Sequence, residues 1–194
     1  MRDYMTKEIM LDQLIENPVI AAVKNEEGLT KALSSPCPVI FVLYGDICSI
    51  GEIVARIKRA GKTAVIHIDL IDGLANREIS VRFLKTNAAA DGIISTKTQL
   101  VRHARELGMI TVQRFFLWDS ISLENVRKYI SGDNADFVEI LPGIISKAVE
   151  FCVKNAHIPI IAGGLISTKT DVVSALSAGA TAISTTDEDL WFEN

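Results

Sequence analysis

Two short stretches late in the chain carry residue types suited to holding an anion. Ile161-Ala-Gly-Gly-Leu-Ile-Ser167 runs an apolar strand into Gly163 and Gly164, and Ala182-Ile-Ser-Thr-Thr-Asp187 runs another into Ser184, Thr185 and Thr186. Glycine lets backbone N–H groups approach phosphate oxygens. A helix start beyond such a turn adds partial positive charge. Together the stretches predict a phosphate grip. Each has a plainer use as well, the first as a tight strand-to-helix turn and the second as a cap for the last helix. The acidic run Asp187-Glu188-Asp189 suits a helix start but repels an anion unless its side chains point away.

Other reactive side chains fall at the ends of apolar runs: Lys24, the pair His67 and Asp69, Arg114, and Glu139. His67 and Asp69 are two apart on an expected strand, so they should share a side. Such a pair either orders a site by a His–Asp hydrogen bond or contacts a ligand, including by acid–base work. Arg114 and Glu139 either form an ion pair or bind an anion and a hydroxyl respectively, because a buried charge needs a partner. Lys24 is either a second cation for the phosphate or a surface lysine. The parity of the fifth strand leaves open whether Gln113 or Arg114 faces inward.

These residues need a frame that brings distant strand ends together. Apolar, Val- and Ile-rich runs at Val19–Val23, Val39–Tyr44, Ala64–Asp69, Gly92–Ser95, Ile110–Phe115, Phe137–Leu141, Ile160–Ala162 and Ala182–Thr185 read as parallel strands buried on both faces. Helical patterns lie between them, at about 28–33, 50–60, 77–86, 97–107, 123–130, 144–154 and 169–177. A further helix around Glu8–Glu16 is placed to close the bottom. Strict alternation without a linker predicts one α/β domain over residues 1–194, a compact (β/α)8 TIM barrel with short helices. Its last helix is truncated to about Glu188–Phe192. In this fold functional residues gather at C-terminal strand ends, and phosphates often sit at the loops after strands 7 and 8.

Composition narrows the function. The chain has 194 residues, a formal net charge of −4 and no apolar run of membrane-spanning length. Its N-terminus lacks a secretory h-region, so a cytoplasmic location is expected. Three cysteines, Cys37, Cys48 and Cys152, show no metal or disulfide spacing. No metal and no cofactor is expected. Arg56, Lys58, Arg59 and Lys62 cluster on one helix, and Arg102 and Arg105 mark another. They are either solvated faces or contacts to RNA phosphates.

Several segments resemble the glycerol uptake operon antiterminator family: Val65-Ile-His-Ile-Asp-Leu-Ile-Asp-Gly73, Gly92-Ile-Ile-Ser-Thr-Lys97, Gln113-Arg-Phe-Phe-Leu117, Asp136–Ile144, Ile158–Ile166 and Ala178–Thr186 with Leu190-Trp191. The resemblance covers nearly the whole chain, in order. It implies a barrel that binds glycerol 3-phosphate and acts on leader mRNA to prevent premature transcription termination. The ligand set expected from the strand ends of such a barrel is Lys24, His67, Asp69, Arg114, Glu139, Gly163, Gly164, Ser184, Thr185 and Thr186. The alternative is an epimerase, isomerase or aldolase acting on a small phosphorylated substrate. The mouth lacks a second histidine and an in-strand lysine for a Schiff base, which favours a binder over an enzyme. A homodimer is also expected, with Leu190-Trp191-Phe192 as its apolar contact.

Overall fold

The computed structural model describes residues 2–193, with side chains from Lys7 onward; the expected domain end points, Met1 and Asn194, lie outside the described residues. Eight strands form a closed, all-parallel barrel in sequential order: β1 (Val19–Val23), β2 (Val39–Val42), β3 (Thr63–His67), β4 (Gly92–Ser95), β5 (Ile110–Phe116), β6 (Phe137–Leu141), β7 (Ile160–Gly163) and β8 (Ala182–Thr185). The helices are α1 (Arg2–Glu16), α2 (Glu26–Ser34), α3 (Ile50–Arg59), α4 (Glu78–Thr86), α5 (Thr98–Glu106), α6 (Ser120–Ile130), α7 (Ser146–Asn155) and α8 (Lys169–Ser177). The expected α/β barrel is therefore present. Its strands are apolar without alternation because one face packs inside the barrel and the other against helices.

Two apolar layers result. Inside the barrel, Ile20, Phe41, Val65, Ile94, Val112, Phe137, Ile161 and Ala182 pack together, one from each strand, with Met10 and Leu14 of α1. That places α1 across the bottom, as the sequence predicts. The alternate strand residues, among them Ala21, Ile40, Ile66, Ile93, Val138 and Ile183, pack outward under the helices.

One strand end differs from expectation. β3 ends at His67, and Ile68–Leu70 forms a 3-10 turn, so the strand stops before Asp69. The truncated last helix expected after β8 is present as the 3-10 turn Asp189–Phe192. Leu190 and Trp191 are buried in their own barrel, and the Trp191 indole donates to the Thr185 carbonyl at 3.0 Å. The expected subunit contact through Leu190-Trp191-Phe192 is thus corrected: two of its three side chains are core, and only Phe192 is exposed.

Candidate functional site

Strand parity builds the site. Side chains alternate across a strand, so residues two positions beyond the inner apolar layer also face the barrel axis. These are Lys24 just beyond β1, His67 on β3, Arg114 on β5, Glu139 on β6, Gly163 on β7 and Ser184 on β8. The polar residues singled out in the sequence therefore share one layer at the C-terminal mouth. Arg114 and Glu139 lie directly opposite in the β5–β6 register, and Gly163 lies opposite Ser184. Arg114 is the inward residue of its pair. Gln113 turns out toward the helices, where its amide nitrogen donates to the Ser95 carbonyl at 3.1 Å.

Glu139 is the hub. Its side chain has no exposed surface, one carboxylate oxygen accepts from Ser184 Oγ at 2.5 Å, and the other accepts from Arg114 Nε. The ion pair foreseen in the sequence is thus real. It leaves the terminal amino groups of Arg114 outside that bond, and a guanidinium offers five donors in all. Glycine is required at 163 for room: a Cβ there would lie 2.5 Å from Glu139 Oε1 and 2.7 Å from Ser184 Oγ.

Beside this trio lies a cavity of about 380 Å³, walled by the loops after β7 and β8 and by Lys24, Leu43, Arg114 and Glu139. Gly164 (φ 75°) and Leu165 (φ 61°) are both left-handed. Glycine adopts this freely, but leucine does so at a cost of about 1–3 kcal/mol. The turn throws the Leu165 side chain outward, 71% exposed, and lays backbone along the cavity wall. Among the described residues, no acceptor takes the N–H of Leu165 or Ile166. Successive N–H groups around such a turn form a concavity suited to an anion.

The neighbouring groups are more committed than the sequence suggests. The N-terminus of α8 is closed by its own Asp171, whose carboxylate takes the Ser167 N–H at 3.2 Å, the Thr168 N–H at 2.9 Å and the Thr168 hydroxyl at 2.7 Å. Thr185 Oγ1 donates to the Ile166 carbonyl at 2.7 Å, so Thr185 ties the β8 end to the β7 loop rather than facing inward. Thr186 lines the cavity. Of the acidic run, Glu188 turns away to pair with Lys31 of α2. Asp187 lines the cavity, with one carboxylate oxygen capping the Asp189 N–H at 3.2 Å.

The expected same-side pairing of His67 and Asp69 does not occur, because the 3-10 turn intervenes. Asp69 instead accepts from Ser95 Oγ at 2.8 Å, Thr96 N at 2.8 Å and Thr96 Oγ1 at 2.9 Å, lacing β3 to the end of β4. His67 is 3% exposed, and its Nδ1 has no hydrogen-bond partner. Burial first, then the nearby Arg114 guanidinium, push its pKa down to about 4, while Asp69 pulls weakly the other way. The ring is neutral at pH 7, and its unpartnered Nδ1 is buried.

The α3 cationic cluster is internally neutralised. Arg56 pairs with Glu26, Lys58 with Asp91 and Arg59 with Glu52, while Lys62 donates to the Ser35 and Cys37 carbonyls at 2.7 and 2.6 Å. Arg105 pairs with Asp133. The RNA contact weighed for these residues finds no free cations on α3. Pairing of this kind has no signature in a sequence, since the partners lie up to 33 residues away.

Residues 19–191 match the family model described as glycerol-3-phosphate responsive antiterminator. The chain is 45% identical over 182 residues to the uncharacterized protein YgcP of Escherichia coli (strain K12), covering 94% of this chain and 95% of that protein. It is similar to the crystal structure of a glycerol uptake operon antiterminator regulatory protein from Listeria monocytogenes, with a TM-score of 0.85 and 32% identity over 90% of this chain and 95% of that one. It is also similar to a glycerol uptake operon antiterminator-related protein from Thermotoga maritima, with a TM-score of 0.79 and 32% identity over 89% and 96% of the two chains.

Proposed function

Since this chain belongs to the glycerol-3-phosphate responsive antiterminator family, we propose that its barrel mouth binds glycerol 3-phosphate and that the bound form acts on the leader mRNA of glycerol-utilisation genes. The observation that carries the ligand reading is the cavity of about 380 Å³ between the β7 and β8 loops, flanked by Arg114 and Lys24. Its size suits a small ligand. The phosphate sits against the Leu165 and Ile166 N–H groups, the Thr186 region and the Lys24 ammonium. The glycerol hydroxyls reach the Arg114 guanidinium, which the buried Glu139 holds in place, with the buried His67 ring beside it. Gly163 and Ser184 keep Glu139 in place, Thr185 and Gly164 shape the loops, and Asp69 stiffens the β3–β4 edge.

Binding is favoured over catalysis by the state of the candidate base. His67 has no carboxylate partner to orient it, because Asp69 is spent on Ser95 and Thr96. A general base needs such a partner and a pKa near the working pH. No helix among the described residues is long and apolar enough to cross a membrane. The closed barrel supports one domain over the chain.

Lys24 gives a clean test because it is exposed and has no ion-pair partner among the described residues. Lys24→Gln should leave the fold intact and weaken glycerol 3-phosphate binding about tenfold by calorimetry, roughly the 1.4 kcal/mol of one partly screened charge pair. Unchanged affinity would remove Lys24, and the phosphate position beside it, from the site.

A further inference from the structure

The rim of the mouth over β5, β6 and β7 carries an exposed apolar surface that the ligand site does not use. Phe116 and Trp118 stack with ring centroids 5.5 Å apart and planes 20° from parallel. Trp118 is 80% exposed, and Ile121, Ile144, Ile145 and Leu165, on the segments that follow β5, β6 and β7, are exposed as well. The pieces are joined: Leu117 N donates to the Leu141 carbonyl at 2.7 Å, and Gly143 N donates to the Gly163 carbonyl at 2.5 Å. Leu165 belongs to both surfaces, since its turn lines the cavity while its side chain faces out.

The charges around this rim have one sign to spare. Lys97 follows β4 and Lys147 stands in the first turn of α7, both without an ion-pair partner among the described residues. The carboxylates of the same sector are used within their own helices: Asp119 caps α6 through Ser122, Glu124 pairs with Arg127, and Asp171 caps α8. A polyanion with flat apolar faces meets such a surface on both counts, because bases stack on aromatic rings and phosphates find the lysines. A second copy of the chain would bring no free carboxylate from this patch to meet those lysines.

We infer that the Phe116–Trp118 stack, flanked by Lys97 and Lys147, is the surface that takes unpaired bases of single-stranded RNA, and that ligand held by the Leu165 turn tunes it. This rests on the reading of the chain as a leader-RNA regulator and adds where the RNA sits and how the ligand reaches it. The turn is the link: phosphate on the Leu165 and Ile166 N–H groups holds the β7 loop, which is tied through Gly143 to the β6 loop, as Leu117 after β5 is tied to Leu141.

The chain contains two tryptophans, Trp118 and Trp191. Trp191 is buried and hydrogen-bonded, so emission changes on adding RNA report Trp118. The experiment titrates leader RNA from a glycerol-utilisation operon of the same genome into the protein, with and without glycerol 3-phosphate, followed by tryptophan emission and gel shift. Wild-type emission should be quenched. Trp118→Ala should weaken RNA binding at least about tenfold, as expected for loss of one stacked base. The double variant Lys97→Gln/Lys147→Gln should flatten the salt dependence. Calorimetric affinity for glycerol 3-phosphate should be unchanged in all of these variants, which separates the rim from the ligand site. RNA bound equally by wild type and Trp118→Ala would overturn the placement. Ligand binding with no RNA binding at any salt would overturn the occupant while leaving the ligand site standing. A wild-type dimer that Trp118→Ala converts to monomer would assign the rim to a second copy instead.

Discussion

Glu139 keeps a carboxylate in a place with no exposed surface because Arg114 and Ser184 take both of its oxygens. Removing one member leaves the other uncompensated, which typically costs 3–5 kcal/mol. Arg114→Met should therefore lower unfolding stability by about that much in urea melts, and adding Glu139→Gln should recover a large part of it. Recovery of nothing would mean that Arg114 contributes through packing rather than charge. His67 makes a pH prediction. Its folded pKa of about 4 lies below the ordinary histidine value of 6.5, so the unfolded chain binds the extra proton between those limits. Stability present above about pH 6.5 is then lost as pH falls toward 4, by at most about 3 kcal/mol. His67→Asn should flatten that part of the stability–pH curve; an unaltered slope would assign the acid sensitivity elsewhere.

At the scale of elements, the strands were legible because burial on both faces leaves a continuous apolar run. Their ends were less so. The run through Ile68-Asp69-Leu70 reads as strand, yet the backbone turns there to let Asp69 collect three hydrogen bonds from Ser95 and Thr96. The repeated segment Ile94-Ser-Thr-Lys-Thr98 and Ile166-Ser-Thr-Lys-Thr170 shows how far a local pattern decides structure. Thr168 caps α8 through a capping box with Asp171, whereas Thr96 binds Asp69 and α5 begins without a side-chain cap. The difference is tertiary: Asp69 takes the N–H and the hydroxyl of Thr96, whereas Thr168 keeps Asp171 of its own helix. The last element is the four-residue turn Asp189–Phe192, held by Trp191 against the barrel. Trp191→Ala should cost about 3–5 kcal/mol in thermal or urea unfolding without changing the mass measured by light scattering. A change in oligomer size with stability intact would restore Trp191 to a subunit contact.

Across the whole molecule, ring closure assembles the site. Lys24 and Ser184 are far apart in sequence, but β1 pairs with β8 and so closes the polar layer around the mouth. That assembly was readable from the strand count and the rule of C-terminal ends. Which cations remain free was not, because Arg56, Lys58 and Arg59 of α3 and Lys62 just beyond it are spent on partners from α2, from α3 itself, and from the loops before β2 and β4. Lys24, Lys97 and Lys147, beyond the C-terminal strand ends, keep no ion-pair partner among the described residues, and neither do Arg82, Arg102 and Lys128 on the outer helices.

The central claim is that one cavity recognises a phosphate and a glycerol moiety together. Calorimetric titration of the wild-type protein with glycerol 3-phosphate, glycerol and inorganic phosphate tests it most directly. Saturable binding of glycerol 3-phosphate at one site per chain is expected, at least about a hundredfold tighter than either fragment, which corresponds to 2.7 kcal/mol or more. No heat with glycerol 3-phosphate, or an affinity no better than that of phosphate alone, would contradict the account.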